Sequence, residues 1–484
     1  MVFSSAVFLF IFLPAVFILY RLIPALKIKN LFLALASIVF YAFGRLDYVL
    51  LFLFSVCVNY FSGLLLMGKG RGRKLFLTLS VILNIGVLCV FKYADFLIGT
   101  LNSLFRLSLP LPGITNPVGI SFFTFQGLSY TIDVYRDPDS GTRDFSKLLL
   151  YISFFPQLVA GPIVKYHDVA DQIEDRRCTP EMTAYGVRRC ILGLSKKLLI
   201  ANAVGFIADR VFNEFLPGGI GDWRLMWLGA ACYTLQIYYD FSGYSDMAIG
   251  MGRMFGFTFR ENFDHPYGAA SMKGFWRKWH ISLSSWFKEY LYIPLGGNRK
   301  GKARTALNKF IVFFCTGIWH GADWTFVFWG LGHGLLTSLE DLGVIPAEKL
   351  GRSRIGRVAA KAYTLFSVMI LFVFFRAGSC AGTGGERFAL AFRLITLMFS
   401  GRGDAYSSYL LGSLLTPAAC LVLVLAVLLA GNIPARLRAA FAASAAADSA
   451  VFEMLGHLCL LLLYALCVMS LARGGFNPFI YFQF

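Results

Sequence analysis

Charge is what this sequence has least of. Only 15% of its 484 residues are Asp, Glu, Lys or Arg, against about 25% in soluble domains. The acidic share is the smaller part, with 27 Asp and Glu against 45 Lys and Arg. Long stretches carry no charge at all, which excludes a soluble globular chain. Histidine is scarce too, at six residues. The ten cysteines form no C-x-x-C pair, so neither a zinc site nor a disulfide framework is signalled; they read as small buried hydrophobes. No glycine-rich phosphate loop, no G-x-S-x-G elbow and no internal repeat occurs.

What the chain has instead is apolar sequence, 57% of it, in runs near the roughly 20 residues that cross a hydrocarbon core. Candidate spans are 5–22, 30–44, 48–67, 75–98, 147–164, 190–212, 224–250, 362–377, 409–430 and 452–472, with a further broken segment at 308–342. Run 5–22 lacks a basic n-region and a cleavage site, so it reads as an uncleaved first span rather than a signal peptide. Lysine and arginine crowd into 21–29, 68–74, 165–197 and 252–309, whereas 213–223 has neither. Basic loops stay cytoplasmic, which places both termini outside. Stretch 378–405 resists, because it is expected outside yet carries Arg387, Arg393 and Arg402. The net charge of +18 is therefore topology and not a nucleic-acid footprint.

Three stretches do not behave as plain spans. Pro117 to Asp137 is apolar but interrupted by Gly119, Gln126, Gly127 and Asp133. Met272 to Gly301 is aromatic and basic together, and Cys315 to Gly334 is rich in glycine and tryptophan. Glycine-broken, polar backbone at membrane depth must be buried in protein or line a wet cavity, so these segments are expected to re-enter the membrane or face an interior funnel.

An ionisable group inside such a segment is a functional candidate by default. His320 stands mid-run between Trp319 and Gly321, with Asp323 at i+3, where one helical face would let the carboxylate orient the imidazole. Neutral histidine suits proton abstraction near pH 7; a structural histidine, hydrogen-bonded inside the bundle, is the plainer alternative. His333 would lie about 20 Å from His320 on a straight helix and reads more readily as structural. His280 sits in Trp276-Arg277-Lys278-Trp279-His280, either an interfacial anchor or a cationic mouth for a phosphorylated donor. Asp133, Asp240 and Asp246 interrupt apolar runs, where pairing with a buried cation is their commonest fate.

Several segments together resemble one family, the membrane-bound O-acyltransferases, and within it the bacterial branch that acetylates alginate and peptidoglycan. They are MVFSSAVFLFIFLP, PVGISFFTFQGLSYTIDVYR, FFPQLVAGPI, YYDFSGYSDMAIGMGRMFGF, FWRKWHISLSSWFKEYLYIPLGGNRKG, TGIWHGADWTFVFWGLGHG and the closing FIYFQF. The resemblance implies an all-α polytopic bundle of about ten to twelve membrane helices, with re-entrant or interfacial helices around a central tunnel. It implies a single domain, 1–484, motif-dense over about 117–342. It also implies that His320 is catalytic and that His280 is a second important position. Supporting or tunnel-lining candidates are His333, Asp323, Trp319, Trp279, Asp240 and Gln126, and Arg277 and Lys278 are candidates for holding donor phosphates.

The function expected is acetyl transfer from a cytoplasmic thioester, acetyl-CoA in the first instance, through the tunnel to an extracytoplasmic hydroxyl on a polysaccharide. His320 would act as general base or as acetyl carrier, with His280 a candidate oxyanion donor. No resident cofactor or metal is implied. Expected partners are the thioester, an extracytoplasmic acetyl-accepting or transferring protein, and the bilayer of a bacterial cytoplasmic membrane; nucleic acid is not among them. Two rivals remain: a transporter or flippase, and a non-catalytic scaffold of a polysaccharide-modifying complex.

Overall fold

The computed structural model describes residues 1–159, 161–431, 433–435, 440 and 449–474; the closing FIYFQF lies outside them. Among the described residues every regular element is helical. Five of the described helices are long and apolar enough to cross a membrane: Asp47–Met67, Arg73–Phe105, Pro180–Phe215, Arg354–Ala377 and Ala450–Ala472. A sixth crossing results if Ala405–Leu414 and Pro417–Ala430, bent by 71°, form one span. Run 409–430 is thus a kinked pair, not the single span expected, with Pro417 opening the second helix. Helix Ala450–Ala472 buries only 6% of its apolar window, and a surface of that kind is at home in lipid. The chain is a multi-pass membrane protein.

Other apolar runs fall short of that length. Phe8–Leu22 and Leu26–Ala42 are brief. Run 147–164, expected to span, is instead Phe145–Ser153 followed by the single turn Phe155–Leu158. Phe154 adopts a ψ of 111°, and Pro156 then opens the new turn. Helix Trp223–Met254 is long enough, but Thr234, Gln236, Asp240, Ser242, Ser245 and Asp246 make it polar, and all six are buried.

The described chain packs as two compact units, Met1–Cys190 with Tyr244–Glu261, and Ile191–Gly243 with the described residues from Asn262 onward. In the first unit the apolar opening forms an aromatic core: Phe8 meets Phe3 at 4.9 Å and Phe12 at 5.7 Å between ring centroids, and Phe12 meets Phe155 edge-on at 5.5 Å. Helices Asp47–Met67 and Arg73–Phe105 are joined by a reciprocal amide pair, Asn59 with Asn84, at 3.1 Å in each direction. Such pairs hold helices together where water cannot compete.

Segment Pro117 to Asp137 corrects an expectation. It is not broken: Ile120–Arg136 is one continuous helix, with every residue from Ile120 to Val134 buried except Ile132. Gly127 is there for closeness, since a Cβ on it would collide with the Asn59 amide.

In the second unit the dominant element is a hairpin, Gly301–His320 against Trp324–Leu342. The break expected within 308–342 is real and falls at Gly321–Asp323. The glycines around it serve packing. A Cβ on Gly317 would sit 2.5 Å from the Phe326 carbonyl oxygen, and one on Gly330 would strike that of Phe313. Two backbones in such contact tolerate no side chain between them. Segment 272–301 is broken as expected into Met272–Trp276, Ile281–Phe287 and irregular turns.

Candidate active site

His320 is the last residue of its helix, followed at once by the extended Gly321. Ending the helix there leaves the imidazole buried, 5% exposed, among Trp319 at 4.9 Å, Trp329 at 5.1 Å and Phe375 at 5.1 Å between centroids. The His280 ring lies 6.3 Å away, tilted by 60°. That separation is too wide for a direct hydrogen bond between the rings.

His280 is fully buried and caps Ile281–Phe287 with φ 44° and ψ 54°. A non-glycine residue in the left-handed region is uncommon and strained, and such strain gathers at functional sites. Nδ1 of His280 lies 3.2 Å from the Asn262 Oδ1, which also accepts from the Ser282 backbone N–H at 3.2 Å and from its hydroxyl at 2.9 Å. Phe241 presses edge-on against the ring at 4.6 Å. Nε2 of His280 is buried with no partner among the described residues.

His333 was expected far from His320 on a straight helix. The hairpin corrects this: Trp329 touches both, at 5.1 Å from His320 and 5.0 Å from His333. The Trp276 indole N–H donates to Nδ1 of His333 at 3.2 Å. Nε2 of His333 and Nε1 of Trp329 are likewise buried with no partner among the described residues.

Asp323 does not orient His320. The helix ends between them, and Asp323 caps the next one, accepting from the Thr325 N–H at 2.9 Å and hydroxyl at 2.7 Å. Its other oxygen pairs with Arg387 at 2.9 Å. Asp240 is buried in an ion pair with Lys197 at 2.8 Å, one residue before the Phe241 that contacts His280. Trp319 packs against both site histidines, 5.9 Å from His280. Trp279 stacks on Phe275 at 5.3 Å and meets the tilted Phe372 ring at 5.3 Å. Gln126 lies in the first unit, with both side-chain amide atoms buried and without a partner among the described residues.

A cleft of about 610 Å³ opens beside this cluster, lined by Trp276, Phe287, Lys288, Lys309, Phe313 and Thr316 among others. Trp276 and Phe313 also touch His333, at 5.1 and 6.4 Å. A second cleft of about 880 Å³ shares Tyr292 and Lys309 with the first and adds Lys302, Thr305 and Asp341. The cations at these clefts are thus Lys288, Lys302 and Lys309, and Lys309 pairs with Asp341. Arg277 is exposed, and Lys278 is held by Asp264 at 3.2 Å. Hydrogen bonds from His265 and then Lys278 keep the Asp264 carboxyl below its ordinary range against opposing burial.

Trp329, Phe375 and Asn262 were missed from the sequence. Trp329 stands four residues before His333 and so shares its helical face, a signal that could have found it. Nothing local marks Phe375 or Asn262.

Residues 118–375 match the model of the membrane-bound O-acyltransferase family. The whole chain aligns at 38% identity with the whole of a protein from Azotobacter vinelandii named "Probable alginate O-acetylase AlgI", and at 38% with its namesake from Pseudomonas aeruginosa, again covering both chains fully. A peptidoglycan O-acetyltransferase of Helicobacter pylori is 35% identical over 78% of this chain and 77% of its own.

Proposed function

The chain belongs to the membrane-bound O-acyltransferase family and is an O-acetyltransferase, and on that premise we propose that it passes an acetyl group from a cytoplasmic thioester, acetyl-CoA, to a hydroxyl on the far side of a bacterial cytoplasmic membrane. The end product is an O-acetylated exported or surface polysaccharide. The observation that carries this reading is the placement of His320: a buried imidazole at a helix break, 6.3 Å from the His280 ring and in contact with Trp329, which in turn meets the cleft-lining Trp276.

The chemistry follows from that placement. Acetyl-CoA is polyanionic and cannot enter hydrocarbon, but its acetyl-pantetheine arm is thin and largely apolar. The cleft walled by Trp276, Phe287 and Phe313 suits the arm, while Lys288, Lys302 and Lys309 at the two clefts suit the phosphates. His320 takes the proton of the acceptor hydroxyl as its oxygen attacks the thioester carbonyl. The tetrahedral intermediate collapses with cleavage of the carbon–sulfur bond, and the imidazolium returns the proton to the departing thiolate. General-base help of this kind is worth about 10²–10⁴-fold. An extracytoplasmic partner protein that receives the acetyl group completes the route.

The test is purified protein in proteoliposomes, with labelled acetyl-CoA on the side of the basic loops and an alginate oligosaccharide on the other. Label should reach the oligosaccharide, or an added extracytoplasmic partner, and His320→Ala should abolish it. Transport of intact substrate without acetylation would favour the transporter, and full activity of the His320 variant would favour the scaffold.

A further inference from the structure

The hydrogen-bond polarity of the site can be read from two groups whose direction is not in doubt. A backbone N–H only donates, so the Asn262 atom facing the Ser282 N–H at 3.2 Å is the oxygen. His280 Nδ1 lies 3.2 Å from that same oxygen and must therefore carry a proton. The competing arrangement, a bare Nδ1 accepting from the Ser282 hydroxyl at 3.4 Å, would abandon that hydroxyl's 2.9 Å bond to Asn262 and set two lone pairs against each other. Neutral His280 then has a bare Nε2, the atom left buried without a partner.

His333 has the opposite tautomer. An indole N–H also only donates, so His333 Nδ1, which receives Trp276 Nε1 at 3.2 Å, is bare, and its proton is on Nε2. Trp329, between His333 and His320, offers a second buried N–H with nothing to receive it. His320 thus neighbours an unused acceptor on His280 and an unused donor on Trp329, which in turn meets the second donor on His333. Buried polar groups are almost always paired, and these are left open around a single imidazole.

We propose that this asymmetry orients the reaction: His280 Nε2 accepts a hydrogen bond from the hydroxyl-bearing acceptor, and the Trp329 indole N–H donates to the thioester oxygen as it becomes an oxyanion. This rests on the acetyl-transfer reading above. It corrects the expectation that His280 is the oxyanion donor, because its neutral tautomer has no proton to give there. It also matches the position of the cleft, whose wall residues Trp276 and Phe313 touch His333 on the donor side. Asn262 is the positioning residue that fixes the His280 tautomer.

Trp329→Phe keeps a ring and removes the N–H. Loss of one oxyanion donor lowers kcat by about 10²–10³-fold, with the KM for acetyl-CoA unchanged. If that variant does not fold, benzothienylalanine at position 329 removes only the donor. Nitrogen-15 NMR of histidine-labelled full-length protein, assigned with His280→Ala and His333→Ala, should show Nδ1–H with bare Nε2 for His280 and the reverse for His333. Asn262→Leu should abolish the His280 preference. Wild-type kcat in the indole-lacking variants, or the same tautomer at both histidines, overturns the proposal. Because the NMR needs no turnover, an enzyme that transfers no acetyl at all would sink the function reading while leaving the tautomers to be scored separately.

Discussion

Two buried polar regions of this molecule are built on opposite principles. In the first unit Asn59 and Asn84 satisfy each other in both directions and reach the Ser55 and Ser80 carbonyls at 2.8 and 2.9 Å. In the second, Asn262 and Trp276 fix the two outer histidines, and among the described residues His280 Nε2, His333 Nε2 and Trp329 Nε1 are left open. Both regions are buried. A closed pair is glue between helices, and its worth is spent on the fold. An open set has a cost in the absence of substrate, so its persistence points to a ligand that completes it.

The contrast can be broken at several points. His320→Ala should have the largest effect, a fall in acetyl transfer of about 10²–10⁴-fold with no loss of melting temperature; a stability loss instead would make the open site merely structural. Gly330→Ala should act through the fold, because the added methyl strikes the Phe313 carbonyl. Overpacking costs about 1–3 kcal/mol, read as a lower melting temperature in detergent together with lost transfer. Gln126 sharpens the comparison from the first unit, where its amide is buried and open. Gln126→Met should hold or raise the melting temperature, because it replaces a buried amide that has no partner among the described residues with an apolar side chain. The smallest effect belongs to the closed pair. Asn59→Leu should cost about 0.6 kcal/mol and leave kcat unaltered, and Asn59→Leu with Asn84→Leu should recover part of that loss.

Much of this was legible in the sequence because a bilayer acts on contiguous residues. Hydropathy identified the class of protein, and Asp47–Met67, Arg354–Ala377 and Ala450–Ala472 fall where apolar runs of 48–67, 362–377 and 452–472 put them. The interruption near Gly321 and the isolation of His320 were visible for the same reason. Local reading failed where glycine had two meanings. At Gly127 and Gly317 the missing Cβ admits a neighbour inside an unbroken helix, whereas at Gly321 the helix ends.

The sequence by itself determined that this chain lives in a membrane, to which family it belongs, and which histidines sit in apolar surroundings. Each of these follows from the identity of neighbouring residues. Only the tertiary structure decided that Trp329 joins His320 to His333, that Asp323 turns to Arg387, and that Asn262 meets Nδ1 of His280 while Trp276 meets Nδ1 of His333. Those outcomes depend on which donor meets which acceptor after the hairpin has folded, and separation along the chain carries no record of it.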